Sequence, residues 1–237
     1  MKIAIIPARG GSKRIPQKNQ RPFAGRPVMA YSIAAAVDSK LFDRVVVSTD
    51  SENIAALARD LGAETPFVRP ADLADDHTPT VPVVRHAIEM LESTGPRTSH
   101  VCCIYATAPF LRCEDLLIAY QRLCEGSRDF VFPVTTFAFP IFRALKLSAE
   151  EPTDDAALAM IWPEHELTRS QDLPEAVHDA GQFYWGTRSA WMAHDRIYSA
   201  NTAGICIPRY RVQDLDTPED WTRAELMYQA MQQSSAD

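Results

Sequence analysis

Apolar residues recur along the chain in two alternating patterns. Short runs rich in β-branched residues are separated by stretches in which apolar side chains return every three or four positions. The stretch Thr80 to Glu92 places four of them on one helical stripe, namely Val81, Val84, Ile88 and Leu91. Alternation of this kind predicts an α/β fold, with an open, mainly parallel twisted sheet and helices on both of its faces.

Five strands and five helices are predicted. The strands are Lys2 to Pro7, Arg44 to Ser48, Val101 to Tyr105, Asp129 to Val134 and Ile205 to Ile207. The helices are Pro27 to Ser39, Ser51 to Leu61, Thr80 to Glu92, Cys113 to Cys124 and Pro218 to Gln232. Thr217 stands directly before the last helix, with Pro218 at its first position and Asp220 three residues on, which is typical of a capped helix start.

Residues 136–186 depart from this alternation. The segment is rich in aromatic residues and proline but has little helical periodicity. Apolar surface outside the sheet and helices favours a subdomain that packs on a partner, most economically on a second copy of the chain. We therefore expect one domain over residues 1–237, with an inserted dimerisation segment at about 136–186, and a homodimer.

Composition narrows the possible partners and the compartment. The 237 residues are 46% hydrophobic and 23% charged, and 24 basic against 31 acidic residues give a net charge of −7. Such a balance argues against nucleic acid or an anionic membrane surface as a partner. The five cysteines lack metal-binding spacing and indicate thiols in a reducing compartment. The first apolar run is too short for a signal peptide or a membrane span, so a cytoplasmic protein is expected.

The first predicted strand leads into an unusually basic loop, residues 7–19. Four cations fall within ten residues: Arg9, Lys13, Arg14 and Lys18. Gly10 and Gly11 allow the backbone to approach a ligand closely. Cations at this density in an acidic protein favour a polyanion such as a triphosphate, although a solvated basic loop is the alternative. The loop matches neither the P-loop nor the dinucleotide-binding glycine pattern.

A pair of carboxylates precedes the last helix. Asp214 and Asp216 are two residues apart, so in extended chain their side chains project to the same side. Mg²⁺ prefers one or two carboxylates together with substrate phosphates and water. The pair is therefore a candidate magnesium site, and the alternative is that both residues only complement the dipole of the following helix.

Polar and aromatic residues mix in the later part of the inserted segment. Arg169 lies in the run 169–172, and His178, Gln182 and Tyr184 lie in the run 178–185. These runs are compatible with the polar floor of a carbohydrate site. A packed strand with a few satisfied polar groups remains the alternative.

The basic loop also carries a resemblance to a known family. Residues 6–19 resemble the signature loop of the CMP-sialic acid synthetase family, the cytidylyltransferases that activate nine-carbon sugar acids. The resemblance continues through 48–50, Arg69-Pro70, the Thr80 helix, 106–109 and 214–220, and so covers nearly the whole chain in order. It implies a fold of the nucleotide-diphospho-sugar transferase type and an enzyme that joins CTP to a 2-keto sugar acid, releasing pyrophosphate.

The resemblance also implies roles for individual residues. Catalytic roles fall to Lys18, Arg9 and Lys13, with Lys18 at the reacting phosphate. Nucleotide binding falls to Arg9, Gly10, Ser12, Lys13, Lys18, Asn19 and Arg69. Mg²⁺ is held by Asp214 and Asp216. The sugar is assigned to Arg169, which pairs with its carboxylate, and to His178, Gln182 and Tyr184.

Three segments favour pseudaminic acid as the sugar: 104–110, 137–141, and 169–173 with 178–186. Legionaminic, sialic and Kdo acids are the alternatives. Family members usually have Gln, linked to cytosine recognition, where Tyr105 stands, so recognition of the base is expected to differ. Two other classes of protein are alternatives to this enzyme. A nonenzymatic nucleotide-binding regulator has no need for the aspartate pair, and a dinucleotide-dependent dehydrogenase would carry the missing glycine pattern.

Overall fold

The computed structural model of the chain describes residues 1–147 and 157–234. Part of the predicted insertion, residues 148–156, lies outside the described residues. The strands are β1 Lys2–Pro7, β2 Pro22–Phe23, β3 Arg26–Pro27, β4 Arg44–Ser48, β5 His100–Ile104, β6 Phe130–Thr136, β7 Leu145–Leu147, β8 Leu158–Met160, β9 Val177–Asp179, β10 Phe183–Thr187 and β11 Thr202–Cys206. The helices are α1 Met29–Asp38, α2 Glu52–Asp60, α3 Thr80–Thr94, α4 Cys113–Glu125, α5 Arg188–Ala193 and α6 Pro218–Ser234.

A seven-stranded sheet forms the centre of the fold, in the order β11-β6-β10-β5-β1-β4 with β9 paired to β6. β1 is parallel to β4 and β5, and β11 is parallel to β6. β10 and β9 are the antiparallel members. The mainly parallel α/β sheet is therefore confirmed, as are four predicted strands and five predicted helices, with bounds that differ by a few residues. The fifth strand, predicted at Ile205 to Ile207, begins earlier, at Thr202, and ends at Cys206.

Side chains of β1 show how the sheet is covered on both faces. Ile3 and Ile5 lie in one apolar cluster with residues of α3 and α5. Ala4 and Ile6 lie in another with residues of α1, α2 and α4. Because successive strand residues point to opposite faces, a continuous apolar strand serves both layers. Within the described residues no helix is long and apolar enough to cross a membrane.

The end of the predicted insertion belongs to the central sheet. Residues 183–187 form β10, between β5 and β6, and Phe183 and Trp185 are fully buried. The Trp185 indole donates a hydrogen bond to the Leu116 carbonyl at 3.0 Å, and its ring stacks on Phe42 at a centroid distance of 5.0 Å. The expectation that these aromatic residues lie outside the sheet is wrong, because they fill the layer between the sheet and its helices.

A smaller apolar cluster joins two distant loops. It contains Ile15 of the basic loop, Leu215 of the aspartate segment and Trp221 of α6, together with Phe23 and Phe110. Ile15 and Leu215 both have 0% exposure. Burial of these two side chains in one cluster fixes the basic loop beside the aspartate segment.

Candidate functional site

A cavity of about 450 Å³ opens at the carboxyl ends of β1 and β5. The chain runs from β1 to β4 on one side and then crosses to β5 on the other, so the cavity lies where the strand order reverses. Ligands of open α/β sheets bind in such crevices. The wall is formed by Pro7, Arg9, Ser12, Lys13, Arg14, Lys18, Asn19, Arg69, Asp76, Tyr105, Ala106, Thr107 and Asp216.

Polar contacts hold the basic loop in place. The Gly10 N–H donates to the Asp50 carboxylate at 2.8 Å, and a Cβ at Gly10 would lie 3.1 Å from the Ser51 Cβ. The Asn19 side-chain amide donates to the Arg9 carbonyl at 3.0 Å. Gly10 is absent from the cavity wall and its N–H is already paired, so the structure gives it an anchoring role and does not support a direct phosphate contact.

The aspartate segment is held by the start of α6. Asp220 accepts hydrogen bonds from the Thr217 N–H at 2.9 Å and from the Thr217 hydroxyl at 2.8 Å, and the Asp220 N–H donates back to that hydroxyl at 3.2 Å. The predicted cap is thereby confirmed. Since Leu215 points into the apolar cluster, its neighbours Asp214 and Asp216 face the other way. Only Asp216 lines the cavity.

All four cations of the basic loop are paired with carboxylates in the cavity. Asp216 lies 3.0 Å from Arg14 and 3.3 Å from the Lys18 Nζ. Asp76 lies 2.5 Å from both Arg9 and Lys13. Hydrogen bonds from Lys13 and Arg9 hold the pKa of Asp76 below its usual value. Loss of hydration, followed by repulsion from Asp216, raises the pKa of Asp214.

Arg69 is the most deeply buried cation of the cavity wall, with 4% exposure. Its backbone N–H donates to the Thr49 carbonyl at 2.9 Å, which ties it to the end of β4. Its Nη1 lies 3.5 Å from the Leu73 carbonyl, whereas Nε and Nη2 have no partner within the described residues. Burial lowers its pKa. Buried guanidinium donors without a protein partner, on a residue that lines the cavity, favour a polar ligand or water beside Arg69.

The four residues assigned to the sugar do not line this cavity. Arg169 is exposed and pairs with Asp172 at 2.9 Å. The His178 Nδ1 lies 2.8 Å from the Asp179 carbonyl oxygen. Gln182 is buried and its amide donates to the Arg211 carbonyl at 2.7 Å. The structure therefore leaves these four side chains out of the wall of the cavity in the same chain.

Tyr184 is engaged behind the cavity wall. Its hydroxyl donates to Asp179 at 2.6 Å, and its ring lies 5.3 Å from the ring of Tyr105, measured between centroids. Burial raises the pKa of Tyr184 well above its usual value. Tyr184 therefore lies next to the cavity wall through its ring contact with Tyr105, the residue that replaces the usual Gln.

Sequence reasoning missed Asp76. A signal existed, since Asp76 lies in the short connection between Arg69 and the Thr80 helix, two elements that were expected at the site. Its two partners are 67 and 63 positions away, at Arg9 and Lys13. Local patterns carry no information about such a pairing.

Comparisons with known proteins agree with this fold. The profile of the family described as Cytidylyltransferase matches residues 3–227. A pseudaminic acid cytidylyltransferase of Campylobacter jejuni is 42% identical over 98% of both chains, and a CMP-N,N'-diacetyllegionaminic acid synthase of Legionella pneumophila is 30% identical over 98% of both. A solved CMP:2-keto-3-deoxy-manno-octonic acid synthetase complexed with CTP has the same fold, with a TM-score of 0.68, 16% identity, and coverage of 97% of this chain and 99% of that chain. The expected resemblance is confirmed, and the chain belongs to the cytidylyltransferase family.

Proposed function

We propose that the chain transfers CMP from CTP to pseudaminic acid and releases pyrophosphate. The observation that carries the proposal is the meeting of the basic loop and the aspartate segment in one cavity, where Lys18 and Asp216 approach to 3.3 Å. Their separation of 198 residues in sequence makes this meeting a property of the fold. The activity named for the Campylobacter jejuni relative supports pseudaminic acid as the sugar.

The basic loop would bind and orient the triphosphate. Arg9, Ser12 and Lys13 would hold phosphate oxygens, and Lys18 would neutralise charge at the reacting phosphate. The anomeric hydroxyl of the sugar attacks the α-phosphorus in line as the bond to pyrophosphate breaks. Alignment and charge neutralisation are the main demands of such a step. Lys18 suits this role because its side chain is only 20% exposed, against 85% for Lys13.

Asp214 and Asp216 would hold Mg²⁺. No group of three or more His, Cys, Asp or Glu among the described residues could hold a metal ion alone. Two hard carboxylates beside a phosphate loop fit an ion whose remaining ligands are phosphate oxygens and water. Bound Mg²⁺ would neutralise charge on the departing pyrophosphate. With Mg²⁺ bound, Asp216 would no longer pair with Lys18, and Lys18 would then be able to bind the phosphates.

Arg69 and Asn19 would belong to the nucleotide side. Arg69 offers the two unpaired donors described above, whereas the Asn19 amide already braces the Arg9 carbonyl. Tyr105 occupies the position at which family members usually carry Gln. Its hydroxyl lies 3.3 Å from the Thr80 hydroxyl, so a Tyr there presents a different set of donors to the base.

A homodimer would bring the sugar-side residues to the cavity. Residues 137–147 and 157–177 expose several large apolar side chains, among them Phe139 at 84% and Leu167 at 94%. An exposed apolar surface of this kind favours a protein interface. We propose that Arg169 and His178 of one protomer help complete the sugar site of its partner, while Gln182 and Tyr184 support Tyr105 from within the chain.

A pyrophosphate assay tests the proposed activity. The protein is incubated with CTP, Mg²⁺ and, in turn, pseudaminic, legionaminic, sialic and Kdo acids. We expect pyrophosphate release with pseudaminic acid. Binding of CTP without pyrophosphate release from any acid would instead favour a nucleotide-binding regulator.

Replacement of Lys18 by Ala is expected to lower kcat by roughly tenfold to a hundredfold and to change the KM for CTP much less. A charge aimed at the reacting phosphate acts mostly in the transition state. Steady-state kinetics with varied CTP measures both constants. Arg9→Ala is the comparison variant and should mainly raise the KM for CTP. If Lys18→Ala changed only the KM for CTP, Lys18 would not be the residue that neutralises charge at the reacting phosphate. Lys13 would then be the next candidate.

Leu167→Asp is expected to convert the dimer to a folded monomer, because a buried charge at an apolar interface is costly. Sedimentation velocity measures the oligomeric state, and circular dichroism checks the fold. Leu226→Asp is the matched control, since Leu226 is 62% exposed on α6, outside the segment. A monomeric wild-type protein, or a dimeric Leu167→Asp variant, would contradict this interface.

A further inference from the structure

Asp76 is a carboxylate placed among the cations of the basic loop. It lies 2.5 Å from Arg9 and 2.5 Å from Lys13, and its side chain is 27% exposed. A single carboxylate therefore pairs with the same two cations that would bind phosphate oxygens in the proposed function. The pairing is part of the cavity wall, which both cations and Asp76 line.

A compact turn presents Asp76 at this position. The neighbouring Asp75 carboxylate accepts hydrogen bonds from the His77 N–H at 2.9 Å, the Thr78 N–H at 2.6 Å and the Thr78 hydroxyl at 2.6 Å. Side-chain bonds of this type fix a turn locally. Asp76 is thus held toward the loop by its own connection, which distinguishes it from an incidental surface ion pair.

Asp76 differs from the other carboxylate of the cavity. Asp216 has a neighbouring carboxylate two residues away and would be neutralised by a metal ion in the proposed function. Asp76 belongs to no group of three or more potential metal ligands within the described residues. When a polyphosphate enters, its negative charge meets Asp76 directly, and the carboxylate must leave Arg9 and Lys13.

We propose that Asp76 is a specificity-determining residue of the phosphate site, a built-in counter-anion that an incoming polyphosphate displaces. The inference rests on the proposed function. A single phosphate group gains little by exchanging with a carboxylate on the same two cations. A triphosphate also contacts Arg14 and Lys18, and these additional ion pairs offset the free energy lost when Asp76 leaves Arg9 and Lys13. Asp76 thereby disfavours small anions, and it re-pairs with Arg9 and Lys13 as pyrophosphate leaves.

Calorimetric titration of CTP, pyrophosphate and inorganic phosphate tests the proposal without turnover. Asp76→Asn removes the charge and keeps the shape. We expect the Kd for pyrophosphate and for CTP to fall about threefold to tenfold, the size of two partly exposed ion pairs. Inorganic phosphate should bind measurably more tightly than to the wild-type protein. Asp76→Ser should give the same direction of change.

Asp72→Asn is the matched control, because Asp72 lies on the same connection and makes no ion pair among the described residues. It should leave all three Kd values within about twofold of wild type. Equal binding by Asp76→Asn and wild type, or weaker binding by the variant, would overturn the inference while leaving the proposed function intact. If the wild-type protein bound neither CTP nor pyrophosphate, both would be overturned.

Discussion

Asp214→Ala and Asp216→Ala are each expected to lower kcat/KM by at least about a hundredfold while the fold survives. If the pair holds Mg²⁺ as proposed, losing the ion would remove several kcal/mol of transition-state stabilisation, and about 1.4 kcal/mol corresponds to each factor of ten in rate. Both residues lie on a segment that is anchored by Leu215 and Asp220, whose contacts these substitutions leave in place. Pyrophosphate release at varied Mg²⁺ measures the effect.

The matched control is Glu219→Ala, which removes an exposed carboxylate from the first turn of α6. It should retain nearly full activity. A nearly active Asp214→Ala enzyme, or wild-type turnover in excess chelator, would contradict a catalytic Mg²⁺ at this site. Thermal unfolding of each variant checks that lost activity does not reflect an unfolded protein.

The raised pKa of Asp214 adds a pH dependence to this site. Metal binding requires the ionised carboxylate, and its ionisation is opposed by lost hydration and by Asp216. As the pH falls, affinity for Mg²⁺ should therefore begin to weaken at a higher pH than it would for an ordinary aspartate. The apparent Kd for Mg²⁺, measured from pH 4 to pH 8, checks this direction. A Kd that stays constant down to the usual aspartate range, about pH 4, would contradict it.

The value of kcat/KM for pseudaminic acid is expected to exceed that for sialic acid by at least about a hundredfold. The two acids share a carboxylate and an anomeric hydroxyl, and differ in ring stereochemistry, in a deoxygenated end and in a second acylamino group. A site can therefore separate them only through contacts beyond the carboxylate. A buried hydroxyl left unpaired costs about 1 to 3 kcal/mol, so two such groups suffice for this ratio.

Burial limits which residues could contact the sugar beyond its carboxylate. Phe183 and Tyr184 offer no apolar surface to the sugar, because they are 0% and 4% exposed and belong to the sheet. The segment Phe137 to Ile141 remains, because it lines a cavity of about 370 Å³ together with residues 170–171 and 173–176. A methyl-ended sugar suits such a wall better than a glycerol chain. Equal turnover of the two acids, measured side by side with CTP, would reject pseudaminic acid as the preferred substrate.

Local features of this protein were predictable because local physics decides them. The amphipathic stripe of α3 and the reciprocal hydrogen bonds of Thr217 and Asp220 depend on residues within a few positions of each other. The basic loop and the aspartate pair were equally recognisable, since their composition is unusual over short segments.

Long-range features could not be predicted from the sequence, because they depend on residues that are far apart in the chain. The place of β10 between β5 and β6 depends on sheet order, and an aromatic run gives no sign of which strands it will join. The hydrogen bond of Tyr184 with Asp179, which engages the hydroxyl of a side chain expected at the sugar, depends on side-chain directions. Asp76 reaches Arg9 only after β1 and β4 have paired side by side.

Direct identification of the product tests the central claim most directly. The protein is incubated with CTP, Mg²⁺ and pseudaminic acid, and the mixture is followed by phosphorus NMR and mass spectrometry. We expect equal amounts of CMP-pseudaminic acid and pyrophosphate, formed only when all three components are present and formed at least about a hundredfold more slowly by Asp216→Ala. CTP that stays intact, or that yields CMP without a sugar conjugate, would contradict it.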